Sequence, residues 1–214
     1  ITMVSSREET IISTDEAIYG MTFVGPPFIF SFRLLATNAG AAGLNTMINV
    51  DGNVFWMGKT NFFTYDGVVK EIPCSVQYYV FDRIQRNFID KTIVAHNKKF
   101  KEVTWFYVSD DNSAGTLNPE PDSYVTFNYL ENAWSIGTMD RTAWLDSFGF
   151  RKVPFAFDPS GYLYNHETGT SADGSAMSAY VESSPREITQ DGENLYMVDK
   201  IVPDVTMTSD TNLY

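Results

Sequence analysis

The segment EVTWFYV at residues 102–108 predicts a strand that is apolar on both faces. Successive side chains of a strand point to opposite sides. Val103, Trp105 and Tyr107 would therefore share one face, and Thr104, Phe106 and Val108 would share the other. A strand with two apolar faces belongs in a sheet that is covered on both sides. Because the rest of the chain has little helical pattern, the covering layers must be other sheets, and the segment predicts stacked β-sheets.

Short runs of β-branched and aromatic residues continue along most of the chain, with turn-forming residues between them at regular spacing. The 214 residues include 16 Phe, 12 Tyr and 4 Trp, all of which favour strands. The turn signals are Gly25-Pro26, Asn38-Ala39-Gly40, Asp51-Gly52, Asp66-Gly67, Asn118-Pro119, Asp158-Pro159-Ser160-Gly161 and Asp191-Gly192. Both Asp51-Gly52 and Asp66-Gly67 predict two-residue reversals. The pattern as a whole predicts an all-β fold.

Residues 75–90, SVQYYVFDRIQRNFID, form the one stretch with a helical pattern. Val76, Tyr79, Val80, Ile84 and Phe88 recur with a period near 3.6. Ser75 is a residue type that commonly caps a helix N-terminus. We therefore predict one short helix here that connects two β units.

Four strands recur over segments of about 40 residues, which is typical of β-propeller blades. One set lies near 93–97, 102–108, 123–129 and 133–138, and the next near 142–148, 153–158, 162–167 and 176–183. Residues 44–73 supply strands of an earlier blade, and 7–35 supply parts of another. We predict that 1–214 is part of a single β-propeller domain of three or more four-stranded antiparallel blades. The blade-like units lie near 7–73, 93–140 and 142–186, and 195–206 begins a further strand or blade.

A two-sheet sandwich is the alternative architecture, since its strands would also be short and aromatic. A sandwich would show more one-sided alternation along each strand. The longest apolar run, 20–32, is broken at Gly25-Pro26-Pro27 and predicts two strands and a turn. It is too short to predict a membrane segment. The start at Ile1 leads us to expect a piece of a longer protein.

Charge and side-chain chemistry supply few candidate sites. The net charge is −12, and the 15 Lys and Arg are scattered, which disfavours direct binding to nucleic acid. Cys74 is the only cysteine, so it predicts a small buried apolar residue rather than a disulfide or a nucleophile. His96 and His166 could meet at a metal, but no third ligand is clustered with them, and we interpret both as strand-end residues.

The loop 109–122 concentrates oxygen ligands that suit Ca²⁺, namely Asp110, Asp111, Asn112, Glu120 and Asp122. Their spacing does not match the D-x-D-x-D-G pattern, so we interpret the loop as solvated and acidic. Asp158 resembles turn residues of propeller glycosidases, but it is interpreted as a turn cap. We interpret all four tryptophans as residues that pack in the core, namely Trp56, Trp105, Trp134 and Trp144.

The order and spacing of several local patterns resemble one family of virion proteins. The patterns are W-M-G at 56–58, Y-D-G at 65–67 followed by I-P-C at 72–74, NYLENAW at 128–134, and GYLYNHETG at 161–169. Over about residues 7–205, the chain is similar to the C-terminal half of the tail-hub or nozzle proteins of short-tailed bacteriophages. These proteins are also called packaged-DNA stabilization proteins.

The resemblance implies a virion structural protein of the phage tail, made in the cytoplasm of the bacterial host. Its copies would form a ring, expected to be a hexamer, below the portal and adaptor proteins. The ring would extend the DNA channel and seat distal tail components such as a needle, tailspike or fibre. DNA would pass without sequence-specific binding, since an acidic wall repels phosphates within a Debye length of about 10 Å. The family implies no catalytic, cofactor-binding or metal-binding residue, so we expect no enzyme.

The alternative function is a carbohydrate-binding or glycan-cleaving β-propeller. The assembly hypothesis predicts large contacts with other copies and no deep polar cleft. The carbohydrate hypothesis predicts a pocket with convergent carboxylates and perturbed pKa values.

Overall fold

The chain is an all-β protein in the computed structural model, which describes residues 1–113, 119–169, 171–172, 174–176, 197 and 199–200. It divides into two compact units, Ile1–Gly169 and Thr170–Tyr214. The first unit contains three four-stranded antiparallel sheets and one three-stranded sheet. The second contains the short hairpin β16 (Ser171–Ala172) and β17 (Ser175–Ala176). The strands expected near 176–183 and 195–206 lie almost entirely outside the described residues.

The three four-stranded sheets are meanders in which strands follow one another in chain order. The first sheet contains β1 (Thr2–Ser5), β2 (Thr10–Ser13), β3 (Ala17–Phe23) and β4 (Phe30–Thr37). The second contains β5 (Met47–Val50), β6 (Asn53–Met57), β7 (Phe62–Tyr65) and β8 (Val69–Ile72). The third contains β9 (Ile93–Asn97), β10 (Glu102–Tyr107), β11 (Ser123–Asn128) and β12 (Ala133–Thr138). The four strands predicted for the third sheet are thus confirmed to within a residue.

The fourth sheet has three short strands, β13 (Ala143–Leu145), β14 (Phe155–Phe157) and β15 (Leu163–Asn165). Each strand is shorter than the run that predicted it. The ends of those runs form loops, including an antiparallel bridge between Phe148 and Arg151. Pairing partners, rather than local composition, therefore set the strand lengths in this sheet.

The second sheet is covered on both faces. The strand for which the sequence predicted such covering, β10, lies in the third sheet, where Trp105 faces the second sheet and Phe106 packs against Trp144 of the fourth. One buried cluster joins the second sheet to the first sheet and includes Ile11, Ile18, Met47, Val54, Trp56 and Phe63. Another joins it to the third sheet and includes Phe55, Met57, Phe62, Val103, Trp105 and Tyr107. Because side chains alternate along β6, Val54 and Trp56 face the first sheet, and Phe55 and Met57 face the third. The first, second and third sheets are thus three stacked layers, whereas a two-sheet sandwich has only two.

The first strands of successive sheets lie side by side. Strand β1 lies beside β5, β5 beside β9, and β9 beside β13. The backbone N–H of Val94 donates to the carbonyl oxygen of Asn45 at 2.8 Å, and Asn45 and Ile93 form a parallel bridge. Four-stranded sheets arranged around their first strands are typical of propeller blades, so the fold is propeller-like.

All four indole N–H groups donate to backbone carbonyls outside their own strand pairs. Trp56 donates to Ala39 at 2.7 Å, Trp105 to Thr46 at 2.9 Å, Trp134 to Pro73 at 2.9 Å, and Trp144 to His96 at 3.0 Å. Trp56 and Trp105 are fully buried, which confirms the core interpretation for them. Trp134 and Trp144 are half-buried at interfaces between segments. Each tryptophan thereby combines apolar packing with one hydrogen bond.

The helix predicted over 75–90 is broken in two. Helix α1 spans Gln77–Arg83, and a 3₁₀-helix spans Arg86–Lys91. Between them, Ile84 adopts an extended conformation and pairs with Ser109, while the N–H of Gln85 donates to Val108 at 2.9 Å. This tertiary pairing removes the N–H that would have continued the helix. The predicted Ser75 cap is also wrong, because the helix begins after Val76 and no side chain caps it.

The two Asp-Gly turns differ in length. Asp51 and Gly52 both have positive φ, at 52° and 97°, and close the predicted two-residue reversal between β5 and β6. The second turn contains three residues, because Tyr65 pairs with Val69. The prediction of a two-residue reversal at Asp66-Gly67 is therefore wrong by one residue.

Candidate functional site

Strands β3 and β4 extend beyond their neighbours as a two-stranded ribbon, residues 22–31, which we call the aromatic hairpin. Thr10, the first residue of β2, pairs with Met21, so no strand of the first sheet flanks β3 beyond that point. The ribbon continues through the pairs Thr22–Ser31 and Phe23–Phe30. The turn predicted at Gly25-Pro26-Pro27 is confirmed, with Gly25 at a φ of 81°.

The aromatic hairpin exposes large apolar side chains. Phe23 is 71% exposed, Phe28 is 77% exposed, and Val24, Ile29 and Phe30 are each about half exposed or more. The rings of Phe23 and Phe30 pack edge to face, with their centroids 6.0 Å apart. A lone two-stranded hairpin is marginally stable in water, and an exposed apolar patch of this kind typically marks a protein contact.

The outward face of the first sheet continues this apolar surface. Alternation and register place Phe32 opposite Met21 and Leu34 opposite Tyr19, on the side away from the second sheet. Phe32 is 62% exposed and Leu34 is 53% exposed. The opposite side of the same sheet is buried, so the first sheet has one covered face and one open apolar face.

A buried carboxylate fixes the base of the aromatic hairpin to the second sheet. Glu9 is 8% exposed, and it accepts hydrogen bonds from Arg33 at 2.9 Å and from the hydroxyl of Tyr65. Burial first and Glu9 second raise the pKa of Tyr65 to about 12. A Cβ on Gly20 would lie 1.9 Å from Glu9 Oε2, so glycine makes room for the carboxylate. The sequence offers no signal for this cluster, because Glu9 lies in the turn between β1 and β2, Arg33 in β4 and Tyr65 in β7.

The acidic loop is engaged in local contacts where it is described. Helix α2 (Asp110–Ser113) lies near its start, within the segment that the sequence predicted as a solvated, acidic loop. Arg83 pairs with Asp111, and Lys91 lies 2.6 Å from Glu120. Asp122 accepts hydrogen bonds from the N–H of Ser109 at 2.8 Å and its hydroxyl at 2.6 Å. The side chain of Asn112 and residues 114–118 lie outside the described part.

The two histidines have different polar partners. Nδ1 of His96 lies 3.2 Å from Asp146, and its Nε2 lies 3.3 Å from the hydroxyl of Tyr129. Arg141 Nε donates to His166 Nε2 at 2.9 Å. Burial lowers the pKa of both rings, that of His166 to about 4 with help from Arg141. In the described residues, no group of three or more His, Cys, Asp or Glu could hold a metal.

Cys74 and Asp158 have structural surroundings. Cys74 is half-buried against the core between the second and third sheets, and burial raises the pKa of its thiol to about 11. A thiol in this state is a poor nucleophile at neutral pH. Asp158 Oδ1 accepts the N–H of Tyr162 at 2.8 Å, and this hydrogen bond confirms that it caps the turn.

Sequence reasoning missed a cavity of about 250 Å³ between the third and fourth sheets. Its lining includes the carboxylates Glu102 and Glu167, the amide of Asn97, and the ring of Trp144. Burial raises the pKa of Glu102, with a smaller contribution from Glu167. The only sequence signal for it is Thr104, a polar residue type within a strand that was predicted to be apolar on both faces. A polar cavity with two carboxylates is the feature that the carbohydrate hypothesis predicts.

Searches against known proteins found that no family model matches this chain and no curated protein matches it. No helix among the described residues has both the length and the apolar character needed to cross a membrane.

Proposed function

We propose that this chain is a virion structural protein of a phage tail hub or nozzle, whose function is to assemble with copies of itself. The observation that carries the proposal is the aromatic hairpin together with the open apolar face of the first sheet. The sequence patterns that resemble the tail-hub family and the propeller-like stacking of sheets support the same function. A surface of this kind is suited to a lasting protein interface.

The occupant of this surface is a second copy of the chain. Each copy carries a net charge of −12, so most approaches between two copies are repulsive. Residues 17–32 contain no charged side chain, so they add nothing to that repulsion. Inside the chain, the opposite face of the first sheet is already covered by a β-sheet with aromatic side chains. A neighbouring copy can extend this stacking by presenting another sheet surface.

Copies joined in this way would form a ring, expected to be a hexamer, below the portal and adaptor proteins in the virion. The ring would extend the DNA channel and seat a needle, tailspike or fibre. An excess of acidic residues, 27 against 15 basic, favours a wall that repels phosphates and lets DNA slide. The protein would act through its surfaces rather than as an enzyme.

Native mass spectrometry and electron microscopy of the full chain test this function. We expect a closed ring of identical copies at protein concentrations of about 50 μM, a range in which micromolar interfaces are occupied. We also expect no sequence-dependent retardation of duplex DNA by that assembly. A strictly monomeric chain, or a chain that binds one DNA sequence in preference to others, would contradict the proposal.

A further inference from the structure

The cavity between the third and fourth sheets exists because its floor is built from small side chains. Ala95, Thr104, Thr126 and Ser135 form one cross-strand row over all four strands of the third sheet. The corresponding interfaces of the second sheet are filled by Trp and Phe side chains. Small residues cannot bridge the spacing of about 10 Å between packed sheets, so a space is left above this row.

One buried acceptor at the edge of the cavity has no hydrogen-bond donor among the residues that the structure describes. Asn97 lines the cavity and is 5% exposed, and its Nδ2 donates to Glu167 at 3.0 Å. This bond fixes the amide orientation, because the carboxylate can only accept. Oδ1 of Asn97 is then buried without a partner in the described part of the chain. A buried polar atom in this condition is unfavourable, and a ligand hydroxyl can offset its cost by donating to it.

Further hydrogen-bond acceptors and donors line the cavity beside Asn97 Oδ1. Glu102 pairs directly with Asn97 across strands β9 and β10 and adds carboxylate oxygens. The hydroxyls of Thr104 and Thr126 bond to each other at 2.8 Å, so one of their two protons remains free to donate. His166 accepts from Arg141 on Nε2, which leaves its proton on Nδ1. The cavity therefore offers acceptors and neutral donors together.

One wall of the cavity is apolar and held in place. Trp144 is fixed by its hydrogen bond to His96, and its ring packs 6.1 Å from Phe106 and 4.5 Å from His166. On the floor, a Cβ at Gly137 would lie 2.4 Å from the hydroxyl oxygen of Tyr124, so the phenol rests on the glycine backbone. Such a site needs little rearrangement to receive a ligand, which lowers the cost of binding.

We propose that this cavity binds a single neutral sugar residue, either a monosaccharide or one unit of a glycan. Sugar hydroxyls donate to Asn97 Oδ1 and Glu102 and accept from threonine hydroxyls, while the carbon skeleton contacts the Trp144 wall. A volume of about 250 Å³ suits a ligand at the small end of the range for binding sites. No Lys or Arg lines the described cavity, so the carboxylates of Glu102 and Glu167 would repel the phosphate of a phosphorylated sugar. Ser135 and Glu167 are exposed and mark the opening for a longer glycan.

Titration of the full chain with D-glucose, D-galactose, L-rhamnose and N-acetyl-D-glucosamine tests the proposal by saturation-transfer NMR and calorimetry. We expect at least one of these sugars to bind with a millimolar Kd. The variants Glu102→Gln and Thr126→Val should each weaken that binding about tenfold, because glutamine is an uncharged and weaker acceptor and valine has no hydroxyl. Glu131→Gln is the matched control, because Glu131 is exposed in the turn after β11 and should leave the Kd unchanged.

Absence of binding by all four sugars at about 100 mM overturns the proposal, since such a site would be too weak to be occupied. The proposal is overturned as well if both cavity variants bind the sugar as strongly as the unmodified chain does, because the sugar would then lie elsewhere. Thermal unfolding of each variant separates loss of the site from loss of the fold. If Glu102→Gln unfolds, Thr126→Val decides the result, because threonine and valine have nearly the same shape. The outcome is independent of ring formation, which native mass spectrometry reports.

Discussion

Replacement of Phe28 by Ser is the sharpest test of assembly through the aromatic hairpin. Phe28 is 77% exposed and follows the Gly25-Pro26-Pro27 turn, so its loss removes apolar surface without opening a cavity in the core. The fold should persist, and the contact between copies should weaken. This separation of assembly from folding makes the variant informative.

The size of the effect follows from the exposed area. A phenylalanine presents about 200 Å², so 77% exposure leaves about 150 Å² for a partner to cover. At about 25 cal/mol per Å², complete coverage would contribute about 4 kcal/mol to each contact. Interfaces cover such residues incompletely, and half coverage gives about 2 kcal/mol. We therefore expect Phe28→Ser to raise the Kd between copies about 30-fold.

Sedimentation velocity and mass photometry over a concentration series measure this Kd. Phe150→Ser is the matched control, because Phe150 is 87% exposed but belongs to the loop between β13 and β14 of the fourth sheet rather than to the hairpin. We expect the control to assemble like the unmodified chain. Equal weakening by both substitutions would show that general surface hydrophobicity drives association. An unchanged Kd in Phe28→Ser would exclude the hairpin as the contact and refute the reasoning.

Three further predictions concern stability and reactivity. Trp105→Phe should lower the free energy of unfolding by about 2–3 kcal/mol, because it loses one hydrogen bond and leaves a smaller ring in a filled core. Trp134 is only half-buried, so Trp134→Phe should lower it by about 1 kcal/mol. Urea titration measures both values, and equal losses would contradict this ordering. The free energy of unfolding should fall as the pH drops from about 6.5 to about 4, because His166 is protonated in the unfolded chain while its pKa in the folded chain is about 4. Urea midpoints should fall less over this pH range in His166→Phe than in the unmodified chain. An identical fall in both would refute the assignment. Iodoacetamide should modify Cys74 about 100-fold more slowly than free cysteine at pH 7, because the pKa of about 11 for the Cys74 thiol leaves little thiolate. Rapid labelling of the folded protein would show that burial does not raise this pKa.

The third sheet shows how far local sequence information extends. The predicted strands near 93–97 and 123–129 match β9 and β11 closely, because alternating apolar side chains and turn residues determine where a strand starts and stops. Turn geometry at Asp51-Gly52 was predictable for the same reason, since few residues adopt positive φ at low cost. These features depend on neighbours within a few residues.

The helical connector shows where this information ends. The apolar period over 75–90 is real, but Gln85 donates to Val108 in another segment instead of continuing the helix. Tyr79, one of the residues with the helical period, is 46% exposed, whereas Phe81, outside that period, is buried against Phe62. Packing against the second sheet outweighs the intrinsic preference of the segment.

The sequence by itself determined the all-β class, the doubly apolar strands and the apolar turn segment that became the aromatic hairpin, because alternation and turn chemistry act over short distances. Only the tertiary structure decided that Glu9 meets Arg33 and Tyr65, and that Asn97, Glu102 and Glu167 share one cavity. These groupings join residues that are far apart in the chain. Sheet order and the fit between facing side chains bring them together, and neither is encoded in any single segment.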